Sequence, residues 1–250
     1  MKSILKPDKL KYLLTAAGIL AAVLQMLLRI TGTDEKGLLI RGHWAGVLLC
    51  LLTAAAAVLL IAGCRKIRGP KSYCRCYPAS RSAGLGCFSG AAGFLLIGLT
   101  SRPLAPLDYA AAVSCMLAAA ALVWVGICRI RGAKPFFLCH TVVCVSIAMR
   151  TVGQYRTFSS HPQILEYGFS MSAMILLMLA CYQLAAFDAD MGDHRKLWGT
   201  MLGAGYLCLA GAYGSEAPLF LILCSVWMLT NLTSPKRRHP VQPPCEEAAP

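Results

Sequence analysis

WAGVLLCLLTAAAAVLLIAGC, residues 44–64, is a run of 21 residues without one charged side chain. Arg65, Lys66, Arg68 and Lys71 follow at once. A helix of about 20 apolar residues spans the hydrocarbon of a bilayer. A helix on a soluble protein keeps a polar stripe, and this run has none. It therefore reads as a transmembrane helix that stops at a basic, cytoplasm-facing boundary.

Seven further segments repeat the pattern less strongly: 10–30, 83–99, 107–128, 135–153, 167–187, 197–213 and 217–232. Those at 83–99 and 197–213 are rich in glycine, and 135–153 carries His140 and Arg150. The fold class expected is all-α: a polytopic integral membrane protein of eight transmembrane helices, built from helical hairpins. Residues 1–232 form the transmembrane domain. The tail 233–250, rich in proline and charge, is expected to be disordered. The first segment follows Lys2, Lys6 and Lys9. It is long for a cleaved leader and lacks a small-x-small cleavage site, so it is read as an uncleaved first helix.

Composition agrees. Hydrophobic residues make up 57% of the 250 and charged residues 14%, against roughly 25% charged in soluble domains. The net charge is +13, and the basic residues lie in short runs beside apolar segments. That distribution suits the lipid bilayer, with anionic lipids at the cytoplasmic face. No soluble stretch is long enough for a nucleic-acid-binding domain. Of 13 cysteines, all but Cys74, Cys76 and Cys245 fall in or at the ends of apolar segments, where cysteine acts as a small hydrophobe. No structural disulfide is expected.

Orientation follows from the basic residues. Of 24 Lys and Arg, only Arg29, Lys36, Arg41, Arg102, Arg150 and Arg156 fall on one side of an eight-crossing arrangement. The majority side is the cytoplasm, which places both termini inside. The loop 65–82 is the strongest marker, with six basic residues and no acid. The expected location is a bacterial cytoplasmic membrane. An internal parallel repeat is also suggested. Cys50-Leu51-Leu52-Thr53-Ala54-Ala55-Ala56 parallels Cys115-Met116-Leu117-Ala118-Ala119-Ala120-Ala121, and Ile67-Arg68-Gly69 parallels Ile130-Arg131-Gly132 with a lysine two residues on.

Candidate sites are few. Gly86, Gly90 and Gly93, with Gly199 and Gly203, have the spacing that lets helices approach closely in lipid. Arg150 lies about 22 Å along a helix begun at Pro135, at 1.5 Å per residue. Asp108, Tyr109, Arg29, Gln154 and His43 fall at the same depth, so the six form a candidate outer polar pocket. His140, beside Cys139 and one turn from Cys144, reads as a packed histidine bonded to a neighbouring helix rather than half a metal site. Cys74-Arg75-Cys76 reads as solvated loop. Asp188, Asp190 and Asp193 could hold Mg²⁺ against a phosphate, but read better as a polar loop whose Asp193 starts the next helix. Asn231-Leu232-Thr233 matches a glycosylation pattern at the wrong face.

No catalytic residue, metal site or cofactor motif is evident: there is no phosphate loop, nucleophile elbow or His-Glu-x-x-His. The leading functional expectation is a small transporter-like or transport-accessory protein. The alternative is a membrane-embedded assembly protein that contacts other membrane subunits and has no substrate. A lipid-modifying enzyme built on the Asp188–Asp193 loop ranks third.

Overall fold

A computed structural model describes residues 7–33, 39–40, 42–65, 67, 73–101, 106–158, 164–215 and 217–232. The tail expectation for 233–250 lies outside them. The described chain is all-α, with no strand beyond one isolated bridge between Thr33 and Leu39. The helices are α1 (Pro7–Thr31), α2 (Trp44–Cys64), the single turn α3 (Tyr73–Cys76), α4 (Arg81–Thr100), α5 (Pro106–Arg131), α6 (Leu138–Phe158), α7 (Ile164–Asp188), α8 (His194–Gly211) and α9 (Pro218–Asn231). Each of the eight apolar segments holds one helix, the shortest being α9 with 14 residues.

Several ends have visible causes. The Ser80 hydroxyl accepts the Ala83 N–H and the Asp193 carboxylate accepts the Arg195 N–H, so both residues cap the helices that follow them. At the close of α5, Gly132 takes φ +75°, and the Ala133 N–H reaches back to the Cys128 carbonyl at 2.9 Å. That closure needs the left-handed backbone that glycine adopts freely. Asp190 does the same after α7 with φ 56°, and the Met191 N–H donates to the Ala186 carbonyl.

Six helices pack in a closed ring in the order α4, α5, α6, α7, α8, α9 and back to α4. Each feeds one contiguous core: Phe94, Leu122, Ile147, Leu177, Met201 and Trp227, in ring order, are all fully buried. The α1–α2 hairpin lies outside the ring against α8, opposite α5. The glycines set the closest approaches. A Cβ at Gly90 would sit 3.0 Å from the Trp227 ring, and one at Gly86 would fall inside the Thr230 hydroxyl. The small-residue face of α4 is thus a packing face for α9.

Five of the helices are long and apolar enough to cross a membrane: Asp8–Thr31, Trp44–Cys64, Arg81–Thr100, Asp108–Arg131 and Tyr167–Asp188. Bulky apolar side chains such as Ile19, Leu51, Leu99, Leu117 and Ile175 face outward from them. The long apolar helices and their apolar outer surface suggest a membrane-embedded protein. The helix α8 is less apolar for a physical reason. It is flanked by α7, α9, α1 and α2, and none of its large hydrophobic residues is exposed. Nothing obliges it to be greasy all round.

Candidate functional site

The ring's helices alternate in direction, so the starts of α4, α6 and α8 meet the ends of α5, α7 and α9. Three contacts fix this end of the ring, here the basic end. The Ser80 N–H donates to the Arg129 carbonyl at 3.0 Å, Asn231 reaches Ala83, and His140 reaches Asp188. Buried polar side chains collect there from α3, α5, α6, α7, α8 and α9.

Arg129, near the end of α5, is 3% exposed. A buried guanidinium usually needs a carboxylate partner. Here its Nε and one terminal nitrogen both donate to the Asn231 amide oxygen, at 3.2 and 3.0 Å. The face of the guanidinium lies on the Tyr77 ring, 3.5 Å from its centroid, with Tyr73 at 5.6 Å. Asn231 in turn donates to the carbonyls of Ala83 and Trp227. The cation is thus held by an amide dipole and two aromatic faces, a cation–π arrangement that strengthens when water is excluded.

The carboxylate lies two helices further round. His140, the third residue of α6, places Nδ1 2.5 Å from Asp188 Oδ2 at the end of α7. The Asp188 side chain is fully buried and that of His140 nearly so. Arg129 and Lys134 lie within electrostatic reach of Asp188. At the rim, Asp190 joins Lys134 at 2.6 Å through Oδ2 and the Tyr73 N–H at 2.8 Å through Oδ1. Cys76 packs against His194, with Sγ 3.7 Å from Nδ1. Burial raises the Tyr73 and Tyr77 hydroxyls above the usual phenol range, with Arg129 opposing. Burial likewise pushes the Cys76 thiol up to about 11.

The expected outer residues fall in two places. Asp108 and Tyr109 start α5, and Arg150 and Gln154 lie in the later half of α6, which packs beside α5. The Arg150 guanidinium stands 5.5 Å over the Phe220 ring of α9, and Gln154 is buried. Arg29 and His43 belong to the α1–α2 hairpin across the ring, where the His43 ring accepts the Ala45 N–H and lies 3.5 Å from the Thr31 hydroxyl.

Other expectations resolve here. His140 is bonded to a neighbouring helix, as its surroundings suggested. The three aspartates of the α7–α8 connection serve three different partners: Asp188 the imidazole, Asp190 Lys134 and α3, Asp193 the cap of α8. Among the described residues no group of three or more His, Cys, Asp or Glu could hold a metal ion. The described cysteines are free. The reading of Cys74-Arg75-Cys76 as solvated loop is corrected at Cys76, which is buried, as are the flanking Tyr73 and Tyr77. The Cys74 side chain lies outside the described residues. Sequence reasoning treated Arg129, Asp188 and Asn231 as boundary residues and missed the tyrosines. The available signal was Tyr73, Cys76 and Tyr77 at i, i+3 and i+4, one face of a helical turn.

A helical bundle with an apolar exterior and a buried charged centre at one end is the class of protein this geometry defines. No protein-family model, curated protein or solved structure matches the chain.

Proposed function

We propose that this chain is an integral protein of a bacterial cytoplasmic membrane, crossing it eight times with both termini and the basic end inside. The outward apolar side chains and the one-sided basic residues support this reading. The matching Ile-Arg-Gly sequences at 67–69 and 130–132 support an origin by hairpin duplication. We further propose a transporter-like or transport-accessory role whose working centre is the Arg129–Asn231 and His140–Asp188 cluster. One observation carries it: Arg129 and Asp188 are enclosed at the basic end of the bundle, and ionisable residues turned into the interior of a membrane bundle mark ion or substrate paths more often than plain architecture. The outer set around Arg150 and Asp108 is proposed as the opposite mouth of that path, with Tyr109 and Gln154 beside them. Arg29 and His43 lie on the far side of the ring.

A specific observation favours the second reading, a membrane assembly protein. The ring is filled from all six helices by apolar side chains, and the hairpin leaves Val47, Leu51, Val58 and Ile61 of α2 exposed for lipid or a second subunit.

Proteoliposomes on a solid-supported membrane separate the two readings. The probes are protons, alkali cations, chloride, small carboxylates and small amines. For transport, at least one gives a current above empty vesicles, and Arg129→Gln, His140→Gln and Asp188→Asn each reduce it about tenfold or more, the loss expected when a transition-state contact worth 1.4 kcal/mol disappears. Folded protein that passes none of the probes overturns the transport reading in favour of assembly.

A further inference from the structure

Several polar atoms are buried at the basic end without a hydrogen-bond partner among the described residues, four of them Tyr73 Oη, Tyr77 Oη, Arg129 Nη1 and Asp188 Oδ1. Unpaired polar atoms of this kind disfavour the state that buries them, because water would satisfy each one. All four belong to α3, the residue after it, or the groups beneath it. Tyr77 covers the guanidinium directly. It also meets Phe187 edge-on, with ring centroids 6.0 Å apart.

On its outer side, Asp190 helps to hold this cover down. The Asp190 carboxylate takes the Tyr73 N–H on one oxygen and Lys134 on the other. Both side chains of that ion pair are part-exposed, at 45% and 33%, so water competes for the contact. Asp190 keeps its carboxylate in place from a left-handed backbone position, φ 56°, that non-glycine residues seldom occupy. The cover thus has unsatisfied atoms on its inner side and a part-exposed ion pair on its outer side.

We propose that α3 together with Tyr77 is a removable plug over the Arg129–Asp188 centre, latched by Asp190, and that its release admits water to the centre from the basic end. In the closed form the rings replace water as the surroundings of the Arg129 face. In the open form the two hydroxyls, Arg129 Nη1 and Asp188 Oδ1 regain hydration, which offsets the lost stacking. The plug does not depend on any solute being carried: an assembly protein could use the same motion to admit a partner. Its test is therefore separate from the flux assay.

Three cysteines report on the motion in the full-length protein held in lipid nanodiscs. Cys76 sits on the plug. Cys87 is fully buried behind it, against Asn231. Cys208 is fully buried in α8, remote from the plug in sequence and in the ring's core. Each is followed by maleimide alkylation at fixed pH with site-by-site mass mapping. Asp190→Ala is expected to speed labelling of Cys76 and Cys87 together, about tenfold for a latch worth 1.4 kcal/mol, and to leave Cys208 unlabelled. Three results overturn the proposal: no change, a faster Cys76 alone, or Cys208 rising in step with the others. Tyr77→Phe gives an independent answer should Asp190→Ala not fold. It keeps the ring on the guanidinium and removes one unpaired hydroxyl, so the plug closes more firmly and both labelling rates fall about tenfold. Unchanged or faster labelling in Tyr77→Phe overturns it.

Discussion

Removing the amide that holds Arg129 is the most informative perturbation of the bundle. In Asn231→Ala the guanidinium loses two hydrogen bonds, from Nε at 3.2 Å and from a terminal nitrogen at 3.0 Å. Hydrogen bonds to a charged group contribute roughly 1.5–3 kcal/mol each, and orphaning a buried charge costs about 3–5 kcal/mol. The Tyr77 face stays in place and keeps its share of the cation–π attraction. Water entering from the basic end would repair part of the loss. The expected destabilisation is therefore near the lower bound of the orphaned-charge range, about 3 kcal/mol.

The second half of the experiment removes the cation as well. In the double variant Arg129→Met/Asn231→Ala no buried charge remains, and a methionine thioether packs well on aromatic rings. Replacing both members of a buried polar pair by apolar groups is often near neutral. The double variant should recover to within about 1 kcal/mol of the wild type, less a small cavity term. Equilibrium unfolding in mixed micelles, or the thermal midpoint in detergent, reads the difference. At about 2–4 °C per kcal/mol for a chain of this size, the single variant falls by about 6–12 °C. A loss below about 1 kcal/mol, the size of one neutral hydrogen bond, would show that Asn231 does not carry the guanidinium. A double variant as unstable as the two single losses added would refute the reasoning from the other side. Should the double variant be stable yet inactive in flux, Arg129 is retained for function and not for folding.

Three further outcomes are expected. Gly86→Ala drives a methyl group into Thr230 on α9 and should cost about 1–3 kcal/mol by overpacking, with partial rescue by Thr230→Ala in the same unfolding assay; independence of the two substitutions would contradict the packing. Because burial pushes the Cys76 thiol up to about 11, its thiolate is scarce at neutral pH and grows about tenfold per pH unit, so alkylation of Cys76 should climb from pH 7 to 10, and a plateau by pH 9 would contradict that environment. Reporter fusions after Pro250 and within 65–82 should both read cytoplasmic, and an external signal at either place overturns the proposed orientation.

The helices were legible because lipid imposes one demand on every spanning segment, and residues 44–64 met it so fully that the expected and observed bounds of α2 coincide. Legibility fell where that demand relaxes. Enclosed by four neighbours, α8 needs small residues more than greasy ones, and its first turn buries His194 while Arg195 and Lys196 stay exposed. The site was harder still, for a reason of topology. Arg129, His140, Asp188 and Asn231 each occupy a helix end, where a polar residue is ordinary. They form a cluster only because antiparallel neighbours bring those ends to one level.

The pair His140–Asp188 could have been anticipated from a single antiparallel hairpin, since one begins α6 and the other ends α7. Arg129 with Asn231 could not, because α5 and α9 meet only when the ring closes through α4. The sequence drew attention to Arg150, the arginine furthest from its expected place in a helical run. Arg129 looked unremarkable among the basic residues that mark a cytoplasmic boundary. Yet burial differs in the opposite sense: Arg150 is half-buried, whereas Arg129 is enclosed by two tyrosines and an amide. The positive-inside pattern counts charges without distinguishing those that meet lipid headgroups from those that turn inward. Arg150 meets one ring, Phe220 at 5.5 Å, whereas Arg129 meets two, supplied by the one-turn helix and the residue after it inside a basic loop. In a chain of this kind, aromatic residues at helical spacing within a charged loop point to the buried cation more directly than the cation's own position does.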